Sequence, residues 1–115
     1  MKYLEINSNI CCDDVIQCIF NLNSQDIIVY KKLKETVKIR ADDLEKLLKK
    51  DRSTVYRSLQ RLTCSGLCLK ETKNIQQGGY YHVYFCAKSN EVKENLQNCI
   101  DNWYKKMTKT IEEID

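Results

Sequence analysis

The spacing of apolar positions changes along the chain, and each change marks an element. In "CDDVIQCIFNL", Val15, Ile16, Ile19, Phe20 and Leu22 follow an Asp-rich start at helical intervals, which predicts a short first helix. "SQDIIVYKKLKE" predicts a second, with Ser24 as N-cap, Asp26 in the first turn where it complements the helix dipole, and Ile27, Tyr30 and Leu33 along one face. After the β-branched connector "TVKI", the segment "ADDLEKLLKK" has acids early, lysines late and Leu44, Leu47 and Leu48 on one side, a third short helix. Asp51 and Ser53 then offer capping oxygens to a fourth, in which Val55, Leu59 and Leu62 recur at i, i+4 and i+7. So short a link between the third and fourth helices makes them cross steeply. Gly66 can supply the positive φ that ends the fourth.

From Leu67 the period becomes two. "LCLKET", the polar, glycine-closed "KNIQQGG" and "YYHVYFCA" predict a β-hairpin. In its second strand Tyr81, Val83 and Phe85 share one side and Tyr80, His82, Tyr84 and Cys86 the other, and one row should cover the helices. Ser89 then opens a long helix whose apolar positions Leu96, Ile100, Trp103 and Met107 alternate by four and three, continued by Ile111 and Ile114. Some 25 helical residues span roughly 37 Å, more than a single core of this size needs, so part of this helix is expected to pack on a second subunit. The expected division is a winged domain at residues 1–88 and a dimerisation helix at 89–115.

At 115 residues the chain is large enough for one modest core and too short for two. Proline is absent, and the opening "MKYLEINSNI" lacks the apolar run of a signal peptide. Nowhere do 18 apolar residues run together, and the expectation is a cytoplasmic protein without a membrane partner. The net charge of +3 conceals a division: residues 31–73 hold 13 basic and 6 acidic side chains, a net of +7, and the rest of the chain sums to −4. A positive middle between acidic ends focuses attraction for an anionic partner on one part of the surface.

The order of helix, helix, tight turn, helix and two-stranded hairpin is that of a winged helix-turn-helix, an α+β, mostly α fold. With Val55, Leu59 and Leu62 turned inward, Ser53, Arg57, Gln60 and Arg61 fall on the opposite side of the fourth helix, and Thr54 and Tyr56 on its flanks. These side chains can address base edges and phosphates. The N-terminal turns of a recognition helix enter the major groove furthest, which favours Arg52, Ser53, Thr54 and Arg57 for bases and leaves Lys49, Lys50 and Arg61 for phosphate. In the wing, Lys73, Asn74, Gln76 and Gln77 suit the minor groove or its flanking phosphates, and Gly78 and Gly79 permit a tight turn.

Seven cysteines in a chain of this length have no disulfide framework to explain their odd number and no paired C-x2-C zinc spacing. Free cysteine commonly behaves as a small buried hydrophobe. The competing reading is a thiol- or metal-responsive switch using Cys11, Cys12, Cys18, Cys64 and Cys68, and a third is a winged-helix protein-interaction module. One histidine, no phosphate-binding glycine loop and no clustered carboxylates leave no acid, base or nucleophile pair, so no enzyme, no cofactor and no metal site are expected.

"ADDLEKLLKKDRSTVYRSLQRLTCSGLCLKE", "GGYYHVYFCA" and the helix with "NWYKKM" together resemble the small archaeal winged-helix transcriptional regulators grouped with the TrmB and MarR families. The resemblance runs from residue 23 to the end and is most specific at "DRSTVYRSLQRL". It implies a homodimer on double-stranded promoter DNA, with recognition helix and wing as contacts and terminal helices as the dimer interface. In that interface Leu96, Ile100, Trp103, Met107 and Ile111 would meet their counterparts. Larger TrmB-type proteins carry a C-terminal effector domain, for which this sequence has no room, so a sugar ligand is not carried over and the small-molecule effector is unknown. The metal-binding E-L-C-V-C motif of ArsR-type repressors is not present.

Overall fold

The computed structural model describes residues 12–114. Its elements are α1 (Cys12–Ile19), α2 (Ser24–Lys34), α3 (Ala41–Leu48), α4 (Arg52–Ser65), β1 (Cys68–Asn74), β2 (Tyr80–Cys86) and α5 (Ser89–Glu112). Every helix and strand expected from the apolar periodicity is present, in the winged-helix order. The core is centred on α2, α3, α4 and the hairpin, where Val29, Leu33, Leu44, Val55, Leu62 and Leu67 are fully excluded from water, and Ile16 of α1 and Val92 of α5 join its edge. Leu47, expected beside Leu44, is instead 55% exposed on the outer side of α3.

The start of α2 lies one residue earlier than Ser24 suggests. Asn23 is the N-cap: its side chain accepts from the Asp26 N–H at 2.8 Å, and Asp26 accepts in return from the Asn23 N–H at 3.1 Å. The reciprocal box satisfies two orphan donors at once, which a Ser24 cap could not do from inside the first turn. Asp51 caps α4 through the Thr54 N–H, and Gly66, at φ +83°, ends it in the left-handed region. Between α3 and α4 the chain turns in three residues because Lys49 takes φ +54°, a conformation that glycine adopts more readily.

The connector before α3 carries a further piece of sheet. Ile39 pairs antiparallel with Tyr84 through reciprocal backbone bonds of 3.0 and 2.7 Å. Ile39 is buried, and its neighbours Lys38 and Arg40 reach the outer face of the hairpin, over the rings of Phe85 and Tyr81. In the hairpin β1 and β2 are antiparallel, in a register running from Cys68 opposite Cys86 to Asn74 opposite Tyr80. The Tyr84 and Cys86 row joins the core, as alternation predicts, but Val83 of the other row is buried as well.

α5 leaves this body. Val92 is buried and Leu96 packs against the core, whereas every residue from Ile100 to Ile114 is exposed. The molecule is elongated, with extents of 66 × 26 × 25 Å. Among the described residues no helix is long and apolar enough to cross a membrane.

Candidate nucleic-acid interface

α4 divides as its sequence requires. Val55, Leu59 and Leu62 enter the core, while Arg52, Ser53, Tyr56, Arg57 and Gln60 remain on the surface. The inner face of the hairpin stands across from them, and the two enclose an open cleft of about 670 Å³. Ser53, Tyr56, Arg57 and Gln60 line its helix side, and Lys70, His82 and Tyr84 its wing side. A smaller cleft of about 200 Å³ at the start of α4 adds Arg40, Arg52, Tyr80 and Tyr81. Cations and hydrogen-bonding side chains thus converge on a concave surface from both walls.

Two residues at the start of α4 are already engaged. Thr54 donates its hydroxyl as well as its N–H to Asp51, and these bonds lower the Asp51 carboxyl below its usual value. Arg52 lies over the Tyr56 ring at 5.2 Å and reaches the Tyr56 hydroxyl at 3.5 Å. Lys49 and Lys50 are exposed in the turn that precedes α4.

Arg61 departs from the expectation that it faces phosphate. Its Nε and Nη2 donate to the Asp26 carboxylate at 2.8 to 3.0 Å, and the Ser58 hydroxyl donates to the same carboxylate at 2.7 Å. Burial pushes the Asp26 carboxyl up, but the bonds from Arg61, Ser58 and the Asn23 N–H outweigh it and hold the group below its ordinary value. Asp26 is fully buried, so the network fixes the middle of α4 to the first turn of α2. The 100° wheel places Arg61 on the wet face, where its side chain stays about two-fifths exposed while the buried Asp26 of a neighbouring helix binds its guanidinium.

The wing corrects two further positions. Lys73 and Asn74 belong to β1, paired with Tyr81 and Tyr80, and the loop is only residues 75–79. The Ile75 N–H donates to the Gly79 carbonyl and the Gly78 N–H to the Ile75 carbonyl, with both glycines at positive φ, so the turn closes beyond the strand pairs. Lys73 bonds Glu71 at 2.8 Å, and Lys38 bonds it from the other side. Hydrogen bonds from these two ammonium groups bring the Glu71 carboxyl down to about 2. Gln76 and Gln77 remain fully at the tip, exposed.

Sequence reasoning missed Lys70, His82 and Arg40 as members of these clefts. Strand alternation held the signal, since Lys70, Thr72 and Asn74 share a face with His82 and Tyr80, and Thr72 meets the His82 ring at 3.1 Å. Of the expected thiols, Cys11 and the Cys12 side chain lie outside the described residues. Cys18 and Cys68 are buried and Cys64 is exposed. Burial pushes the Cys68 thiol up to about 11. Among the described residues no group of three or more His, Cys, Asp or Glu side chains is placed to hold a metal ion.

Comparison with known proteins places this geometry. The model of the family described as sugar-specific transcriptional regulator TrmB matches residues 16–90. An uncharacterized protein of Methanocaldococcus jannaschii is 31% identical over 103 residues, covering 90% of this chain and 78% of the relative. A structure described as a possible transcriptional regulator from Methanosarcina mazei is 30% identical, with a TM-score of 0.78, covering 90% of this chain and 88% of that one. A crystal structure of MarR, at 17% identity, shares the fold alone: its TM-score is 0.53 over 82% of this chain and 68% of its own. With more than half of its length matched by the family model, and with a helix and wing arranged around one cationic cleft, the chain belongs to the TrmB family of transcriptional regulators and has their DNA-binding winged-helix fold.

Proposed function

We propose that the protein acts as a homodimer that binds double-stranded DNA sequence-specifically and regulates transcription. α4 enters the major groove, with Ser53, Arg57 and Gln60 towards base edges and Arg52 and Tyr56 beside them. The observation that carries this reading is the exposed polar and cationic side of α4 facing the wing across an open cleft. Lys49 and Lys50 meet phosphate at the turn, and the free N–H groups of the α4 N-terminus add to that attraction. Gln76, Gln77 and Asn74 take the minor groove or its flanking backbone, with Lys73 alongside although Glu71 shares its charge. Arg61 holds α4 in place through Asp26, and Thr54 holds its start through Asp51.

Dimerisation is supported by the apolar stripe of α5. Leu96, Ile100, Trp103, Met107 and Ile111 recur by four and three, and beyond Leu96 all are exposed. Two such helices packed together would bury the stripe and set two recognition helices about 34 Å apart, a spacing that reads a pseudo-palindrome in successive major grooves.

Selection of bound duplexes from a random pool, followed by titration of the selected and a scrambled duplex at several salt concentrations, tests the reading. A preferred site that retains its advantage as salt weakens both complexes is expected. No selected site, and no salt-dependent binding to any duplex, overturns it.

A further inference from the structure

Two cysteines face each other at the base of the wing. Cys68 and Cys86 are directly opposite in the antiparallel register. The Ala87 N–H donates to the Leu67 carbonyl at one end of the ladder, and the Ile75 N–H to the Gly79 carbonyl at the other. Hydrogen-bonded pairs alternate with non-hydrogen-bonded ones, so these two ends make 68 and 86 a non-hydrogen-bonded pair. In that class the Cα atoms stand about 4.5 Å apart with their side chains at closest approach, inside the roughly 4.4–6.8 Å span that a disulfide accepts.

Both side chains project to the core face of the hairpin. Cys68 is fully buried, Cys86 is half-buried, and both thiols are free. A charge on either would be felt by Tyr30, and a charge on Cys86 by Cys68, so the three groups share one small region. We propose that Cys68 and Cys86 are a disulfide-forming pair, closed across the root of the wing by a small organic disulfide and reopened by a thiol reductant.

The two thiols have different roles. Burial raises the Cys86 thiol, but Lys34 beside it favours the thiolate, and Cys86 is the half-buried residue of the pair whereas Cys68 is fully buried. Cys86 attacks one sulfur of the oxidant RSSR, forming the mixed disulfide and expelling RS⁻, which takes up the proton that Cys86 gave. The Cys68 sulfur then attacks Cys86 Sγ, its proton passing to the second RS⁻ as that group leaves. The sum is two protein thiols and RSSR giving one protein disulfide and two RSH.

The bridge would join β1, which follows α4 through Gly66 and Leu67, to the end of β2, which leads into α5. It also lies in the same row as Tyr84, which lines the cleft between helix and wing. A change in DNA affinity on oxidation therefore follows, and this consequence alone rests on the DNA-binding reading.

The test is peptide mapping of the full chain by mass spectrometry without reduction, after incubation with oxidised glutathione. A Cys68 to Cys86 cross-link lacking two hydrogens, retained in Cys64→Ser and Cys99→Ser and reversed by dithiothreitol, is expected. Glutathione stalled on Cys86, or cross-links that use only other cysteines of folded wild-type protein, would overturn the proposal. Cys86→Ser should leave Cys68 unmodified, and because the wild-type map is decisive, a folding defect in that variant changes nothing. Duplex titration of the mapped, bridged protein should differ from the reduced form by about fivefold or more. An unchanged affinity overturns the coupling to DNA, and a lack of duplex binding by both forms overturns the DNA reading while the mapped bridge stands.

Discussion

The winged body and the distal half of α5 draw on the same residue types and treat them oppositely. In the body Leu33, Leu44, Val55 and Leu62 are sealed from water by one another and by the hairpin. On α5 Ile100, Trp103 and Met107 stand about two-fifths exposed, and Ile111 more so, although their spacing is that of a helix made to be packed. The body completes its own core; the helix carries a stripe that one chain leaves open. The proposed dimer would cover this stripe, so a sealed core and an open apolar face lie on separate parts of one molecule. Stability of the body and assembly of two chains should therefore respond to different substitutions.

The largest expected separation comes from Trp103→Asp. A charge in the middle of the stripe should weaken self-association by on the order of 4 kcal/mol, roughly a thousandfold. Sedimentation equilibrium should then report a monomer, while the denaturation midpoint of that monomer stays that of the body. If the variant is as dimeric as the wild type, the stripe is not the interface. The reciprocal substitution is Leu62→Ala, which empties a fully buried position and should destabilise the body by about 3 kcal/mol in denaturant unfolding. A loss below about 1 kcal/mol would mean that the body is packed loosely around α4.

How these regions could be read from the sequence differs for the same physical reason. Periodicity reports whether a face is apolar, and it gave the helices, the hairpin and the stripe, since each is an alternation of residue types along one element. It does not report what stands opposite a polar residue. The wheel alone points Arg61 at phosphate because it holds nothing of α2, whose buried Asp26 lies 35 positions earlier and binds it. The Asn23 and Asp26 box was within reach, being a capping residue followed three later by an acid. The Ile39 bridge was not, because one pair of backbone bonds leaves no period to detect. In the wing, the strand reached Asn74 because pairing with Tyr80 and Tyr81 outweighs the low strand propensity of Asn.

Asp26 tests whether α4 owes its placement to that network. Asp26→Ala removes the acceptor of Arg61 and Ser58 and the return bond of the α2 cap, and leaves the buried Ser58 hydroxyl without a partner. A loss of about 2 kcal/mol is expected, because Arg61 can regain water but Ser58 cannot. The pH dependence fixes the sign. The Asp26 carboxyl is lower in the folded chain than in the unfolded one, so its contribution is complete above the ordinary carboxylate value of about 4 and disappears as pH falls through the folded value. The difference between wild type and variant in denaturant unfolding should accordingly shrink in acid. A difference that stays constant down to pH 2 would show that the carboxylate charge contributes nothing.

Substitutions at Arg57 and Lys50 should separate reading from gripping on the proposed DNA surface. Arg57 stands in the cleft between helix and wing, whereas Lys50 is exposed in the turn before α4. Arg57→Ala should weaken the selected duplex by about 1–3 kcal/mol and relax preference for it, while Lys50→Ala weakens all duplexes and flattens the salt slope by about one contact. Equal losses for both variants on selected and scrambled duplexes would remove the distinction.

The smallest effect is expected at the turn that joins the two regions of the helix-turn-helix, and it has the opposite sign. Lys49 holds φ +54° at the C-terminus of α3, where its N–H donates to the Glu45 carbonyl. A β-carbon is disfavoured in this conformation, and glycine is the residue that most often ends a helix there. Lys49→Gly should stabilise the body by up to about 1 kcal/mol, since strain in the folded turn is relieved at some entropic cost in the unfolded chain. It should also weaken every duplex to a similar degree, because a cation beside the α4 N-terminus is lost while the reading residues stay in place. Denaturant unfolding and salt-dependent titration of the same preparation measure both effects. Increased stability with unchanged DNA affinity would mean that Lys49 serves the turn alone and leaves phosphate to Lys50.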